Sequence, residues 1–254
     1  MKDYSYKEYL IPKKNKKFRK IVAPSQDLLE YQQSVLPKLE VIYLEKVSGT
    51  RISDTAHGFI RGRNCVTASE KHIGYKSTVI MDLSNFFDTV FREMFDTEEY
   101  KIIYDDNNLF HKSGYCAQGF ATSPILANIA LIPAMTEIDD YLSSKFKEYA
   151  FTIYADDIQI STNCEESEDI IDIIAEPITK IVEKNGFGIN PNKTRIRYSK
   201  YGYRKMLGIN VGEDHIRATR KTMKKIRAAK HQENGSSLGG LTTWSRCYPP
   251  SYRR

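Results

Sequence analysis

The chain has 254 residues, room for one large domain or two small ones with a buried core. Its 41% hydrophobic and 28% charged residues fit a soluble globular protein, and no apolar run approaches the ~18–20 residues of a membrane span, so no membrane partner is expected. The net charge of +6 is unevenly spread: "KKNKKFRK" (13–20) packs six Lys/Arg into eight residues, and "RATRKTMKKIRAAK" (217–230) carries seven with no acid. Basic ends around an acid-containing middle suit a polyanion gripped at the sides while acids work at the centre. The opening "MKDYSYKEYLIPKKNKKFRK" has no apolar core of signal-peptide type, and Cys65, Cys116, Cys164 and Cys247 form no C-x-x-C pair. Free thiols in a reducing, cytoplasmic setting are expected.

In chain order, "SQDLLEYQQSVLPKLEVIYLEK" (25–46) has apolar residues at helical spacing, with Ser25 as N-cap; Pro37 predicts a bend or break. "STVIMDLSNFF" (77–87) begins as a β-rich apolar run and meets Asp82. "SPILANIALIPAMTEIDDYLSSKF" (123–146) reads as a long helix with Ser123 as N-cap, Pro124 in its first turn and a kink at Pro133. "FTIYADDIQIS" (151–161) reads as a hairpin with Asp156 and Asp157 at its tip. "EDIIDIIAEPITKIVEKNG" (168–186) is an amphipathic helix that Gly186 stops. "TRIRYS" and "RKMLGINV" are short strands, and 213–231 reads as a basic helix. The order predicts an α+β fold, an antiparallel sheet with helices on one face.

Two adjacent aspartates at a hairpin tip repel each other. If the strand ending at Asp82 neighbours that hairpin, Asp82 faces Asp156, with Asp157 alongside. Three clustered carboxylates call for protonation or divalent cations. An oxygen-rich site with open positions suits Mg²⁺, and a pair of ions about 3.5–4 Å apart activates an attacking 3′-oxygen and stabilises a leaving pyrophosphate.

The ordered set "MDLSNFFD", "QGFATSPILAN" and "YADD" resembles the palm of a reverse transcriptase, with "NGFGINPNKTRI" and "KMLGINV" as the next two palm elements. "KKNKKFRKIVAP" resembles the fingers segment of these enzymes, and "AHGFIRGRNCVTASEKHIG" resembles prokaryotic retron and group II intron-type members. The resemblance implies a right-hand polymerase of fingers and palm with an antiparallel palm sheet and a reduced thumb. It assigns 1–75 and part of 88–117 to fingers, 76–212 to palm, and 213–254 to a short basic thumb-like helix and tail.

It also implies roles. Asp82 and Asp156 are the principal metal ligands and Asp157 the neighbouring acid, with Leu83 in the same metal-holding set. The ions are two Mg²⁺, for which Mn²⁺ substitutes. Tyr154 lies beneath the primer end, and the Phe87 ring leaves no room for a 2′-hydroxyl, selecting dNTPs. Gln118 lies near template and nucleotide, and Gly119 permits close backbone approach. Arg19 clasps the triphosphate, helped by Lys13, Lys14 or Lys17, while Lys193 donates a proton to the leaving pyrophosphate. Arg220, Lys224 and Arg227 share one helix face at i, i+4 and i+7 and would grip primer–template or RNA, with Lys221 and Lys225 beside them.

There are departures. "ASEKH" (68–72) keeps only His72 of the usual retron Asn-Ala-x-x-His signature, and "KMLGI" keeps only Gly208 of Val-Thr-Gly. The implied function is RNA-directed DNA synthesis, copying a dedicated structured noncoding RNA in a retron-like or antiphage-defence program. A partner protein or further copies of the chain would aid the grip. Alternatives are a template-independent or protein-primed polymerase of the same fold, with Tyr248 or Tyr252 as hydroxyl primer, and an idle palm-fold RNA-binding scaffold. "YADD" in place of Gly-Asp-Asp, and the ring of Phe87, argue against an RNA-dependent RNA polymerase.

Overall fold

A computed structural model describes residues 5–12, 18–166 and 169–232. Lys13, Lys14, Lys17, Cys247, Tyr248 and Tyr252 lie outside the described residues. The chain divides into two compact units. One comprises residues up to Ser53, Ser84–Thr136 and Val182–Gly188; the other comprises Asp54–Leu83, Glu137–Ile181 and the residues from Ile189 onward.

The first unit begins with an antiparallel hairpin of β1 (Tyr6–Pro12) and β2 (Phe18–Pro24). Helix α1 (Gln26–Val47) follows, capped by Ser25, whose hydroxyl accepts from the Leu28 amide. Its buried stripe is Leu28, Gln32, Leu39, Tyr43 and Val47. The helix runs unbroken through Pro37, contrary to the bend or break expected from that residue. Proline removes one intrahelical donor, and the stripe on both sides of it is anchored in the core, so burial outweighs the loss. Buried Gln32 is satisfied at both ends of its amide: Nε2 donates to the Asn108 carbonyl and Oε1 accepts from the Ala121 amide. This unit also holds the short helix α3 (Lys101–Tyr104) and the nearly all-buried α4 (Ser123–Ala130), which contacts α1.

The helical stretch beginning at Ser123 is interrupted at Leu131, and α5 (Ile132–Lys145) restarts with Pro133 at its second position. Thr122, not Ser123, occupies the N-cap position, because the Ser123 hydroxyl donates to the Ala117 carbonyl instead.

The second unit is built on a four-stranded antiparallel sheet of order β4 (Tyr149–Tyr154), β5 (Asp157–Thr162), β3 (Ser77–Asp82), β6 (Arg195–Tyr198). Alternation puts Thr78, Ile80 and Asp82 on one face with Ser161, Gln159 and Asp157 of β5 and Thr152 and Tyr154 of β4. That face meets α2 (Cys65–Glu70) and a three-stranded sheet of β7 (Arg204–Met206), β8 (Ile209–Val211) and β9 (Ile216–Ala218). The opposite face, with Val79, Met81, Ile158 and Ile160, is buried as well. Both faces of the sheet are therefore covered, one of them by α2 and the second sheet.

The amphipathic helix expected over 168–186 is α6 (Glu176–Lys184), preceded by a π-helical turn at Ile171–Ala175. Pro177 lacks the amide that would continue a regular ladder at that junction. Gly186, at φ +84°, ends the segment as expected. Residues 213–219 do not join the basic helix: β9 occupies 216–218, and α7 (Arg220–His231) starts from a Thr219 cap. Cys65, Cys116 and Cys164 are buried.

Candidate active site

The end of β3 places Asp82 directly opposite Asp157 of β5. The sequence alone suggests Asp156 in that place. The register differs because Ala155 and Asp156 form the two-residue turn between β4 and β5, which removes Asp156 from the ladder. Asp156 stays adjacent through its backbone, its carbonyl accepting the Leu83 amide at 2.7 Å. Ala155 takes a left-handed φ of +54°, uncommon for a residue with a side chain. On the other flank of β3, the Asn190 amide donates to the Asp82 carbonyl at 2.8 Å, and Leu83 bridges Ile189.

That second strand connection leads into the short 3-10 turn Pro191–Lys193. Lys193 Nζ donates to Asp82 Oδ1 at 2.7 Å. Asp82 is only 7% exposed, so the ammonium offsets a carboxylate largely withdrawn from water. The carboxylate raises the lysine above its ordinary pKa, against the smaller opposing effect of burial. Asp157 is pushed up to about 6, first by burial and then by the charges of Asp156 and Asp82, with Lys193 pulling the other way. Tyr154 is half-buried on the same face, and burial raises its phenol. Leu83 is 2% exposed; its side chain is hydrocarbon, so its backbone carbonyl is the one group it can offer an ion.

Among the described residues no three His, Cys, Asp or Glu side chains are drawn close enough to hold an ion. Carboxylates repel, and an ammonium already takes one oxygen of Asp82. The donor set is all oxygen, with Asp157 raised by burial and by the two neighbouring carboxylates, and this chemistry fits a hard divalent cation.

The first unit holds most of the other residues singled out from sequence. Arg19 is exposed on β2, paired with Ile11. Gln118 is half-buried, its carbonyl accepting the Val22 amide at 2.8 Å. At Gly119, φ is +116° and a Cβ would stand 2.2 Å from the Val22 carbonyl oxygen, so glycine is required for this segment to lie against β2. Phe86 is 3% exposed and belongs to the core, while Phe87 is partly exposed, its ring 5.2 Å from that of Phe86. On α7, in the second unit, Arg220, Lys224 and Arg227 are exposed and the buried Thr222 and Ala229 lie on the other side.

Sequence reasoning misses three features. It does not pair Lys193 with Asp82. It does not find Arg204, a 1% exposed guanidinium among hydroxyls and carbonyls. It assigns nothing to Gly58, where a Cβ would stand 2.4 Å from the Ala155 nitrogen. The glycine of "AHGF" is a visible signal, but its contact is made across nearly a hundred residues of chain.

The profile of the family described as "Reverse transcriptase (RNA-dependent DNA polymerase)" matches residues 11–229. Among curated proteins, the retron Mx65 reverse transcriptase of Myxococcus xanthus is 26% identical over 90% of this chain and 56% of its own length. The retron Ec73 reverse transcriptase of Escherichia coli is 28% identical over 97% of this chain and 84% of its own. The chain spans about half the length of the Mx65, Mx162 and Ec48 relatives (56%, 54% and 48%). Telomerase from Candida tropicalis with a fragment of telomeric RNA superposes with a TM-score of 0.65 at 12% identity, over 94% of this chain and 52% of that one. At that identity the likeness establishes the right-hand polymerase fold alone.

Proposed function

The chain belongs to the reverse transcriptase family, and from that premise we propose that it copies RNA into DNA by nucleotidyl transfer at the Asp82–Asp156–Asp157 site. The observation that carries the reading is the ladder pairing of Asp82 with Asp157, with Asp156 held at the adjacent turn and Lys193 on Asp82. Family membership supports a divalent metal. The finer assignment is two Mg²⁺ ions, or Mn²⁺, held by Asp82, Asp156, Asp157 and the Leu83 carbonyl. When bound, such ions make a 3′-hydroxyl nucleophilic and neutralise charge on a departing pyrophosphate.

The protein's own groups do the rest. Lys193 holds a proton at Nζ beside Asp82 and gives it to the leaving pyrophosphate. Arg19 holds triphosphate oxygens in a bidentate fork. Phe87 presents a ring edge to the sugar and excludes a 2′-hydroxyl. Gln118 contacts nucleotide and template, and Tyr154 supports the primer end. Arg220, Lys224 and Arg227 bind nucleic-acid phosphates.

The similarity to retron enzymes supports a dedicated, structured noncoding RNA as template, in a retron-like or antiphage-defence program. The DNA product is made from dNTPs in the cytoplasm, with a partner protein or a second copy of the chain aiding the grip. No helix among the described residues is long and apolar enough to cross a membrane.

The test is primer extension on an RNA template with dNTPs and Mg²⁺ or Mn²⁺. Replacing both Asp156→Asn and Asp157→Asn is expected to abolish synthesis while the melting profile stays cooperative. Extension by the double variant at the wild-type rate refutes the assignment.

A further inference from the structure

The segment from Asp54 to His72 contains "AHGF" and "ASEKH", and none of its residues has a role in the reading above. We propose that this segment is the brace that fixes the Asp156–Asp157 turn in place, with Gly58 and His72 as positioning residues, a proposal that rests on the polymerase reading of that turn.

The segment first runs along the outer edge of β4. The Thr55 carbonyl accepts the Ile153 amide at 2.8 Å, and the His57 amide donates to the Ile153 carbonyl at 2.7 Å. An otherwise open sheet edge is thereby paired up to the point where the turn begins. Gly58 comes next and lies against the turn itself. A Cβ there would stand 2.4 Å from the Ala155 nitrogen and 3.1 Å from the Tyr154 carbonyl carbon, both backbone atoms. Backbone in a paired hairpin cannot swing aside as a side chain can, so any larger residue displaces the turn. Ala155 holds a left-handed φ of +54°, a conformation that persists in a non-glycine residue where its surroundings fix it.

The far end of the segment reaches the same turn from beneath the sheet. His72 is fully buried, with Nδ1 2.7 Å from Ser161 Oγ and Nε2 2.8 Å from Thr152 Oγ1. Thr152 Oγ1 donates to Gln159 Oε1 at 2.9 Å, and Gln159 Nε2 donates to the Asp157 carbonyl at 3.1 Å. On the other side, Thr78 Oγ1 lies 2.7 Å from Ser161 Oγ and accepts from Arg204 at 2.8 Å. One proton arrangement is consistent with every bond of the chain. Arg204 donates to Thr78, Thr78 to Ser161, Ser161 to His72 Nδ1, His72 Nε2–H to Thr152, Thr152 to Gln159, and Gln159 to the Asp157 backbone. Burial keeps the imidazole neutral, as this pattern requires. A chain of buried hydrogen bonds running one way from a guanidinium is mutually polarising and resists local distortion. It ends on the residue that faces Asp82.

Two positions test the brace without touching a carboxylate: Gly58→Ala, and Thr152→Val with Thr152→Ser as its conservative counterpart. Valine is isosteric and suited to a strand, and it removes both bonds of the chain that pass through Thr152, the one from His72 and the one to Gln159. Binding of Mn²⁺ to the full chain, without nucleotide or nucleic acid, is measured by titration with electron paramagnetic resonance of the free ion. Melting curves confirm folding at the assay temperature. Gly58→Ala and Thr152→Val are each expected to weaken Mn²⁺ binding about tenfold, and Thr152→Ser to restore it. In primer extension, kcat is expected to fall about tenfold with KM for dNTP unchanged within about twofold.

Wild-type Mn²⁺ affinity in both folded variants overturns the brace. Should Gly58→Ala fail to fold, the comparison of Thr152→Val with Thr152→Ser decides on the same criterion. A wild type that extends primers while the variants bind Mn²⁺ normally removes the brace and keeps the polymerase reading. Variants that lose affinity, in a protein whose wild type extends no primer, keep the brace and remove that reading.

Discussion

Phe86 and Phe87 are neighbours in sequence with different fates: one is 3% exposed in the core, the other partly open beside it. A packed ring serves stability, and an accessible one can meet a ligand. Phe87→Ala is therefore expected to raise rNTP use relative to dNTP by about tenfold or more, since the excluding ring is gone. Single-nucleotide incorporation with each sugar measures the ratio, and an unchanged ratio removes Phe87 from sugar selection. Stability also depends on pH through two buried histidines. Burial holds His57 down to about 4 and His72 down to about 3, so both are neutral when folded near pH 7. In the unfolded chain each titrates near the ordinary 6.5. As pH falls below that value the unfolded state takes up protons that the folded state refuses. Stability present above pH 6.5 is then lost progressively toward pH 4, by up to ~1.4 kcal/mol per pH unit for each histidine. Urea unfolding at pH 7, 6 and 5 should show the decline, and His57→Gln should make it shallower. A decline equally steep in that variant would assign the effect to other groups.

Elements are legible in the sequence where their cause is itself local. The Ser25 cap and the interruption before Pro133 follow from backbone chemistry within one turn, and both are observed. Asp82 at a strand end and the Asp156–Asp157 pair at a hairpin turn are visible as apolar β-runs meeting acids. The register is not, because a two-residue turn shifts which aspartate faces Asp82, and nothing in the run itself counts turn residues. The hydrogen-bond chain beneath the sheet is hidden for a different reason. Its members Thr78, Thr152, Gln159, Ser161 and Arg204 come from four strands, and as isolated polar residues in strands they look solvent-facing. At Pro37, helix propensity misleads when weighed without the buried stripe around it. The tolerated proline has a measurable converse. Pro37 is exposed and lies well inside α1, so Pro37→Ala restores an intrahelical donor without disturbing the core. It is expected to stabilise the protein by about 1–3 kcal/mol, read as a higher urea midpoint with an unchanged slope. A lower midpoint would mean that the ring itself contributes contacts.

For the molecule as a whole, the informative quantity is where its excess of +6 charge is placed. Helix α7 turns Thr222 and Ala229 inward and leaves Arg220, Lys224 and Arg227 exposed on the other side, with Lys221 and Lys225 flanking them. The stretch 217–230 contains no carboxylate side chain, so the helix does not neutralise its own basic face and presents it to an external polyanion. Phosphate contacts of this kind release counterions, which makes affinity fall steeply with salt but hardly vary with base sequence. Reversing Arg220→Glu, Lys224→Glu and Arg227→Glu is therefore expected to weaken binding of unrelated RNA and primer–template duplexes alike. The slope of log affinity against log salt should flatten by about 3, roughly one for each phosphate no longer neutralised. Since the substituted side chains are exposed, the melting midpoint should stay close to that of the wild type. The measurement is a binding titration over a salt series, with light scattering on the same samples to follow association. Two results would sink the assignment: a slope unchanged by the triple reversal, or a weakening confined to one RNA sequence. The first would move the phosphate grip to another basic segment. The second would make α7 a reader of a particular RNA rather than a general hold on the backbone.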